Sequence, residues 1–168
     1  VLDTFLSEED RILVLINGAY GRRTRDIASR LGKQVVTMEW PEDEAVDASA
    51  VSGMLEEDRT ITHVWMVHCE TTTGLMNDLV SVGRVVSQAG KRFLLDAMSS
   101  FGGIPIDLEV AHVDGLISSA NKCIEGVPGF SFMLVKQDML EAAEGNARST
   151  SLDAHAQWKR MQKDGQFR

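Results

Sequence analysis

Leu79-Val80-Ser81-Val82-Gly83-Arg84-Val85-Val86-Ser87-Gln88-Ala89-Gly90-Lys91-Arg92-Phe93-Leu94-Leu95-Asp96 carries two hydrophobic periods in one stretch. Leu79, Val82, Val85, Val86 and Ala89 recur at helical spacing, Gly90 closes the helix, and Phe93-Leu94-Leu95 is a short continuous apolar run. A helix joined by a tight turn to a strand that is apolar on both faces is the building unit of a parallel sheet covered by helices on both sides. The same alternation extends outward in both directions. Strands are expected over residues 12–16, 34–38, 64–68, 93–95, 115–118 and 130–135. Helices are expected over 24–31, stopped by Gly32, over 47–57 with an apolar stripe of Val46, Ala50, Val51, Met54 and Leu55, over 79–89, and over 152–161 with Ser149, Thr150 and Ser151 as caps. The expected fold class is α/β, three-layer, with a mostly parallel sheet, right-handed crossovers and helices on both faces.

The 168 residues, 43% of them apolar, suffice for one ordinary α/β domain, residues 1–168, and are too few for two. Acidic residues outnumber basic ones 25 to 17, which speaks against a nucleic-acid-binding surface. Arg22, Arg23 and Arg25 are the one close basic group and read as a solvated loop or helix start. No apolar stretch approaches a membrane span and no secretory signal is visible, so a cytoplasmic protein without membrane attachment is expected, with Cys69 and Cys123 as reduced thiols. The sequence opens at Val1 and stops at Arg168 in a polar, helix-like stretch, as an excerpt from a longer chain does.

In open α/β sheets ligands bind outside the carboxyl ends of the strands. The polar residues ending the apolar runs are Asn17, His68 to Thr73, Asp96 to Ser100 and Ser118 to Lys122. Asp96 and Lys122, 26 positions apart, thus reach the same edge of one sheet. An acid and an amine so delivered are what a pyridoxal phosphate enzyme needs: Lys122 to form the Schiff base, and Asp96 to keep the pyridine nitrogen protonated. Alone, a strand-end Asp more often caps the next loop, and a lone Lys is more often a solvated surface residue. Here the following Cys123-Ile124 promises an apolar setting that favours the neutral, nucleophilic amine. Gly126-Val127-Pro128-Gly129-Phe130 promises a tight loop that pins the lysine's backbone.

Thr71, Thr72 and Thr73 are placed either to reach a cofactor or to satisfy their own turn. His68 reads as a hydrogen-bonded core residue sooner than a group of the crevice. The His residues, Asp78 and Glu70 lack metal-ligand spacing, so no metal site is expected. The glycine-bearing turns Gly18-Ala19-Tyr20-Gly21 and Gly102-Gly103 match no nucleotide-binding fingerprint, and no GxSxG elbow is present.

Six segments carry a family likeness. They are Asn17-Gly18-Ala19-Tyr20-Gly21-Arg22-Arg23, His68-Cys69-Glu70-Thr71-Thr72-Thr73-Gly74, Asp96-Ala97-Met98-Ser99-Ser100-Phe101-Gly102-Gly103, Ser118-Ser119-Ala120-Asn121-Lys122-Cys123-Ile124, Gly126-Val127-Pro128-Gly129-Phe130, and Ser151-Leu152-Asp153 through Gln157-Trp158-Lys159. Together they resemble the central part of the large domain of class V, fold-type I aminotransferases. The lysine segment with its Val-Pro-Gly-Phe continuation is similar to the subfamily acting on 2-aminoethylphosphonate and pyruvate.

The resemblance implies that Lys122 is the catalytic residue, covalently linked to pyridoxal 5'-phosphate. It also implies that Asp96 pairs with the pyridine nitrogen, Thr71 contacts the phenolic oxygen, Met98 lies against the ring and Asn121 near the phosphate. Further implied are small-molecule substrates, an amino donor and a 2-oxo acid, giving phosphonoacetaldehyde and L-alanine, and a homodimer whose partner subunit completes each phosphate site. Alanine:glyoxylate and serine:pyruvate aminotransferases of class V share the Asp, the Lys and the Thr-Gly turn and remain alternative activities. A non-catalytic domain is the third reading, because the family's N-terminal Ser-Gly-Thr phosphate loop and its C-terminal small domain have no counterpart in these residues.

Overall fold

The computed structural model describes residues 1–165. After a short helix α1 (Leu2–Phe5), the chain alternates β1 (Arg11–Ile16), α2 (Ala19–Arg30), β2 (Gln34–Glu39), α3 (Ala48–Glu57) and β3 (His63–Val67). A small hairpin, β4 (Cys69–Glu70) and β5 (Leu75–Met76), precedes α4 (Leu79–Gln88) and β6 (Arg92–Asp96). The remaining elements are β7 (Gly115–Ser119), β8 (Ser131–Val135), α5 (Gln137–Glu141) and α6 (Ala154–Asp164).

Six strands form one sheet in the order β2-β1-β3-β6-β7-β8, all neighbours parallel except the antiparallel pair β7 and β8. Side chains alternate across it, as the pleat requires. In β1, Leu13 and Leu15 join the core under α3 and α4, with Val51, Leu55, Val82 and Val86. Ile12, Val14 and Ile16 join the opposite core with Leu2, Phe5, Ala28, Met139 and Ala154, from α1, α2, α5 and α6. The three layers expected from the sequence are therefore present. The first crossover steps from β1 out to β2 and the next returns to β3 on the other side of β1, so the carboxyl ends of β1 and β3 flank a switch point where a crevice must open.

The helix starts follow local chemistry where that chemistry is local. Asp47 accepts from Ser49 N at 2.8 Å and Asp78 from Ser81 N at 3.0 Å, capping α3 and α4. Three expectations need correction. The helix expected over 24–31 begins at Ala19, so Gly18-Ala19-Tyr20-Gly21 is the opening turn of α2 instead of a loop. Gly21 lies inside it because a Cβ there would come within 3.0 Å of the Ile16 Cα. The helix expected over 152–161 runs Ala154–Asp164, capped by Asp153 accepting from Ala156 N at 3.0 Å and not by the serines and threonine before it. The run 130–135, read as a strand buried between two helical layers, is the antiparallel edge strand β8, with Leu134 exposed and Phe130 outside it. Short α1 and α5 and the β4–β5 hairpin escape hydrophobic periodicity altogether, being under two turns or two residues per strand.

The connection from β6 to β7 carries no regular helix and packs directly on α4. A Cβ on Gly83 would lie 1.8 Å from the Ala111 carbonyl oxygen, so glycine alone permits this approach. Gly83→Ala must push helix and loop apart, and is expected to lower the unfolding free energy by about 3 kcal/mol. A urea midpoint unchanged in this variant would contradict the contact.

Candidate active site

Asp96 ends β6 in register with Val67 of β3 and Ile117 of β7. In-register neighbours on parallel strands project to one face, so the carboxylate stands between two apolar side chains. Among the described residues its carboxylate takes a single hydrogen bond, from Met98 N at 2.9 Å. Burial pushes its pKa above the ordinary aspartate value; the Met98 N–H opposes this and the nearby Glu70 charge adds to the rise. No cation among the described residues pairs with it.

A cavity of about 630 Å³ opens over this row, with Trp65, Val67 and Ile117 as apolar floor and Asp96, Thr71 and Lys122 among its functional groups. Met98 also lines it, and is half-buried. Four of the five residues singled out in the sequence thus share one space. Asn121, next to Lys122, is exposed and is not among the residues lining that space.

Lys122 sits on the loop between β7 and β8. Its carbonyl accepts from Glu125 N at 2.8 Å, Gly126 N donates to Ala120 O at 2.8 Å, and Glu125 holds a positive φ of 59°. The expected tight loop is therefore present, fastened to the Asp96 segment by Cys123 Sγ donating to Ser99 O at 3.3 Å. The expected apolar setting is not. Residues 121–130 are all exposed: the loop stands off the end of the sheet, Cys123 spends its thiol on a backbone carbonyl, and Ile124, 43% exposed, lies against Gly102.

The threonine turn divides between its two readings. Thr73 serves its own turn, accepting from Leu75 N at 3.3 Å and reaching Glu70 O at 3.5 Å. Thr71 faces the cavity, its hydroxyl 2.5 Å from that of Ser99. His68 is a core residue, with Nδ1 2.9 Å from the Ser100 hydroxyl and its pKa lowered by burial. Asn17, a strand-end candidate, is buried instead in a pair with Asn77: its Nδ2 donates to Asn77 Oδ1 at 2.8 Å, and Asn77 Nδ2 donates to Val67 O at 2.8 Å. That network holds the ends of β1 and β3 at the switch point. No group of three or more His, Cys, Asp or Glu among the described residues is arranged to hold a metal ion.

Sequence reasoning assigned no role to Tyr20, Arg23, Ser99 or Glu70. Tyr20, Arg23, Thr24 and Ile27 fall at i, i+3, i+4 and i+7 of α2 and line the cavity together. That periodicity was available in the sequence once the helix starts at Ala19. Glu70 has no such signal: fully buried, it accepts from Tyr20 N at 3.2 Å and Gly21 N at 2.9 Å, capping α2 from 49 residues away.

The chemistry of this donor set fits pyridoxal phosphate. A carboxylate short of solvation in an apolar row lacks a cation, which a protonated pyridine nitrogen provides; a primary amine opens to the same cavity; hydroxyls of Thr71 and Ser99 offer donors beside it.

A sequence profile of aminotransferase class V matches residues 1–163, and the chain belongs to that family, whose members are pyridoxal phosphate enzymes. Its sequence is 49% identical over 168 residues to the 2-aminoethylphosphonate–pyruvate transaminase of Lysinibacillus sphaericus, covering all of this chain and 46% of that protein. It is 46% identical over 164 residues to the bifunctional phosphonoacetaldehyde hydrolase/aminoethylphosphonate transaminase of Clostridioides difficile, covering 98% of this chain and 26% of that one. The chain thus spans less than half the length of these curated relatives. In structure it is similar to pyridoxamine–pyruvate aminotransferase of Mesorhizobium loti, with a TM-score of 0.86 and 30% identity over 95% of this chain and 41% of that one.

Proposed function

We propose that these residues are the cofactor-binding centre of a larger aminotransferase that moves the amino group of 2-aminoethylphosphonate to pyruvate, giving phosphonoacetaldehyde and L-alanine. The observation that carries the reading is the convergence of Asp96, Lys122, Thr71 and Met98 on one cavity at the carboxyl edge of a parallel sheet. The substrate pair is supported by the names of relatives sharing 45–49% of the sequence. On the same reading the chain is the middle of a large domain, and the enzyme is a cytoplasmic homodimer. Among the described residues no helix is long and apolar enough to cross a membrane.

When bound, the cofactor's ring accepts the electrons released as a substrate carbon loses its proton. The chain supplies the rest. Asp96 holds a proton on the ring nitrogen by charge and hydrogen bonding. Lys122 would hold the cofactor through its amine and, as a free amine, would take the proton from the substrate carbon as base and return it as acid. Thr71 and Ser99 orient the polar side of the ring, and Met98 with the apolar floor excludes water from it.

The test is turnover by the full-length protein with pyridoxal phosphate. Alanine should form from pyruvate with 2-aminoethylphosphonate as donor at a kcat/KM at least tenfold above that with serine. Faster use of serine, or of alanine with glyoxylate as acceptor, would replace this activity by those of other class V enzymes. Intact mass of the natural protein checks the larger chain.

A further inference from the structure

The arginine group Arg22, Arg23 and Arg25 divides in the folded chain. Arg22 pairs with Glu42; Arg25 pairs with Asp26 at 2.9 Å and with Glu39 at 3.4 Å. Both are thereby held on the side of α2 away from the cavity. Arg23 falls on the stripe of α2 that lines the cavity, is the only charged residue of that stripe, and has no ion pair or hydrogen bond among the described residues.

The start of α2 does not compete for an anion. Its N–H groups at Tyr20 and Gly21 are already taken by the Glu70 carboxylate. Gly18 presses on that carboxylate so closely that a Cβ would lie 2.5 Å from Glu70 Cδ, which leaves no room for a ligand there. A helix end that elsewhere attracts phosphate is here neutralised and closed. The acids lining the cavity are Asp3 and Asp96, neither within ion-pair distance of Arg23; the cationic side chains lining it are Arg23 and Lys122. With Lys122 committed to covalent and proton-transfer work, Arg23, exposed and unpaired among the described residues, is the other cationic side chain of the cavity and is left for an anionic ligand.

We propose that Arg23 is an oxyanion anchor of this cavity, its planar guanidinium binding a tetrahedral phosphorus oxyanion through two N–H donors. The proposal rests on the aminotransferase reading and deepens it. Two components of that reaction carry the group, the phosphonate of the amino donor and the phosphate ester of the cofactor. Arginine chemistry serves either.

Arg23→Gln and Arg23→Lys in the full-length protein separate the two sources. Cofactor affinity is read without turnover, by quenching of tryptophan fluorescence on titration with pyridoxal phosphate. Donor recognition is read as KM for 2-aminoethylphosphonate and for pyruvate at saturating cofactor. Arg23→Gln is expected to weaken one of the two by about tenfold or more, with Arg23→Lys in between, since it keeps the charge and loses the fork. Weaker cofactor binding assigns the anchor to the phosphate. A raised KM for 2-aminoethylphosphonate, with KM for pyruvate and cofactor binding unchanged, assigns it to the phosphonate. Both quantities within twofold of wild type in both variants overturn the anchor. If Arg23→Gln does not fold by circular dichroism, Arg23→Lys alone decides on the same criteria. Wild-type protein that takes up no cofactor and forms no alanine fails the aminotransferase reading itself. Active wild type with unaltered variants fails only Arg23.

Discussion

Lys122→Ala in the full-length protein is expected to abolish the visible absorbance band of lysine-bound pyridoxal phosphate and to cut alanine formation at least 10²- to 10⁴-fold, roughly the range for a positioned acid–base group. Among the described residues no other lysine is placed to stand in. Lys33 is buried with its amine on Leu6 O at 2.5 Å, Lys91 donates to Arg59 O at 2.9 Å, Lys136 pairs with Asp114 at 3.0 Å, and Lys159 lies over the Trp158 ring. None of them lines the cavity. Because Lys122 is exposed, its place among these lysines rests on position: the Glu125 and Gly126 turn and the Cys123 bond to Ser99 O hold its backbone beside the Asp96 segment. Unaltered circular dichroism should accompany the loss. A folded variant that keeps the band would remove Lys122 from the covalent role.

How the sequence disclosed this site follows from which contacts are local. The strands were legible because burial on both faces leaves continuous apolar runs, as in Phe93-Leu94-Leu95, and the site residues were legible because they sit where such runs end. The start of α2 was not, since its cap is Glu70, 49 residues on, and its two glycines, which mark turns in most settings, here permit contact with Glu70 and with Ile16. With the first turn of that helix hidden, Tyr20 and Arg23 could not be placed on its cavity face. The exposure of Lys122 was hidden for a related reason. Cys123 and Ile124 are apolar by composition, but whether apolar residues pack inward depends on where a loop leaves the sheet, and this one leaves at the edge pair β7 and β8. Likewise Phe132, Met133, Leu134 and Val135 read as a fully buried strand, though an antiparallel edge strand needs only one covered face.

Asp96→Asn should move stability and function in opposite directions. With its pKa raised above the ordinary 3.8 by burial, Asp96 holds its proton more tightly folded than unfolded. Stability of the cofactor-free protein must then fall as pH rises from about 3.8 through the raised folded value, and the whole penalty is present above it. Asparagine keeps an acceptor for Met98 N and carries no charge, so the cofactor-free variant should match or exceed wild type in urea at pH 7, and the gap should close as the pH is lowered toward 4. Function should go the other way. A carboxylate against a ring nitrogen favours its protonated form by about one to three pKa units, so removing the charge should cost roughly 10- to 1,000-fold in turnover and weaken cofactor binding. Equal turnover with unchanged cofactor affinity would show that Asp96 only caps its loop through Met98 N. Reduced turnover together with reduced stability at every pH would make it a structural residue. Only a variant that is sturdier without cofactor and poorer with it identifies a carboxylate kept under-solvated for a cation with which no described residue pairs it.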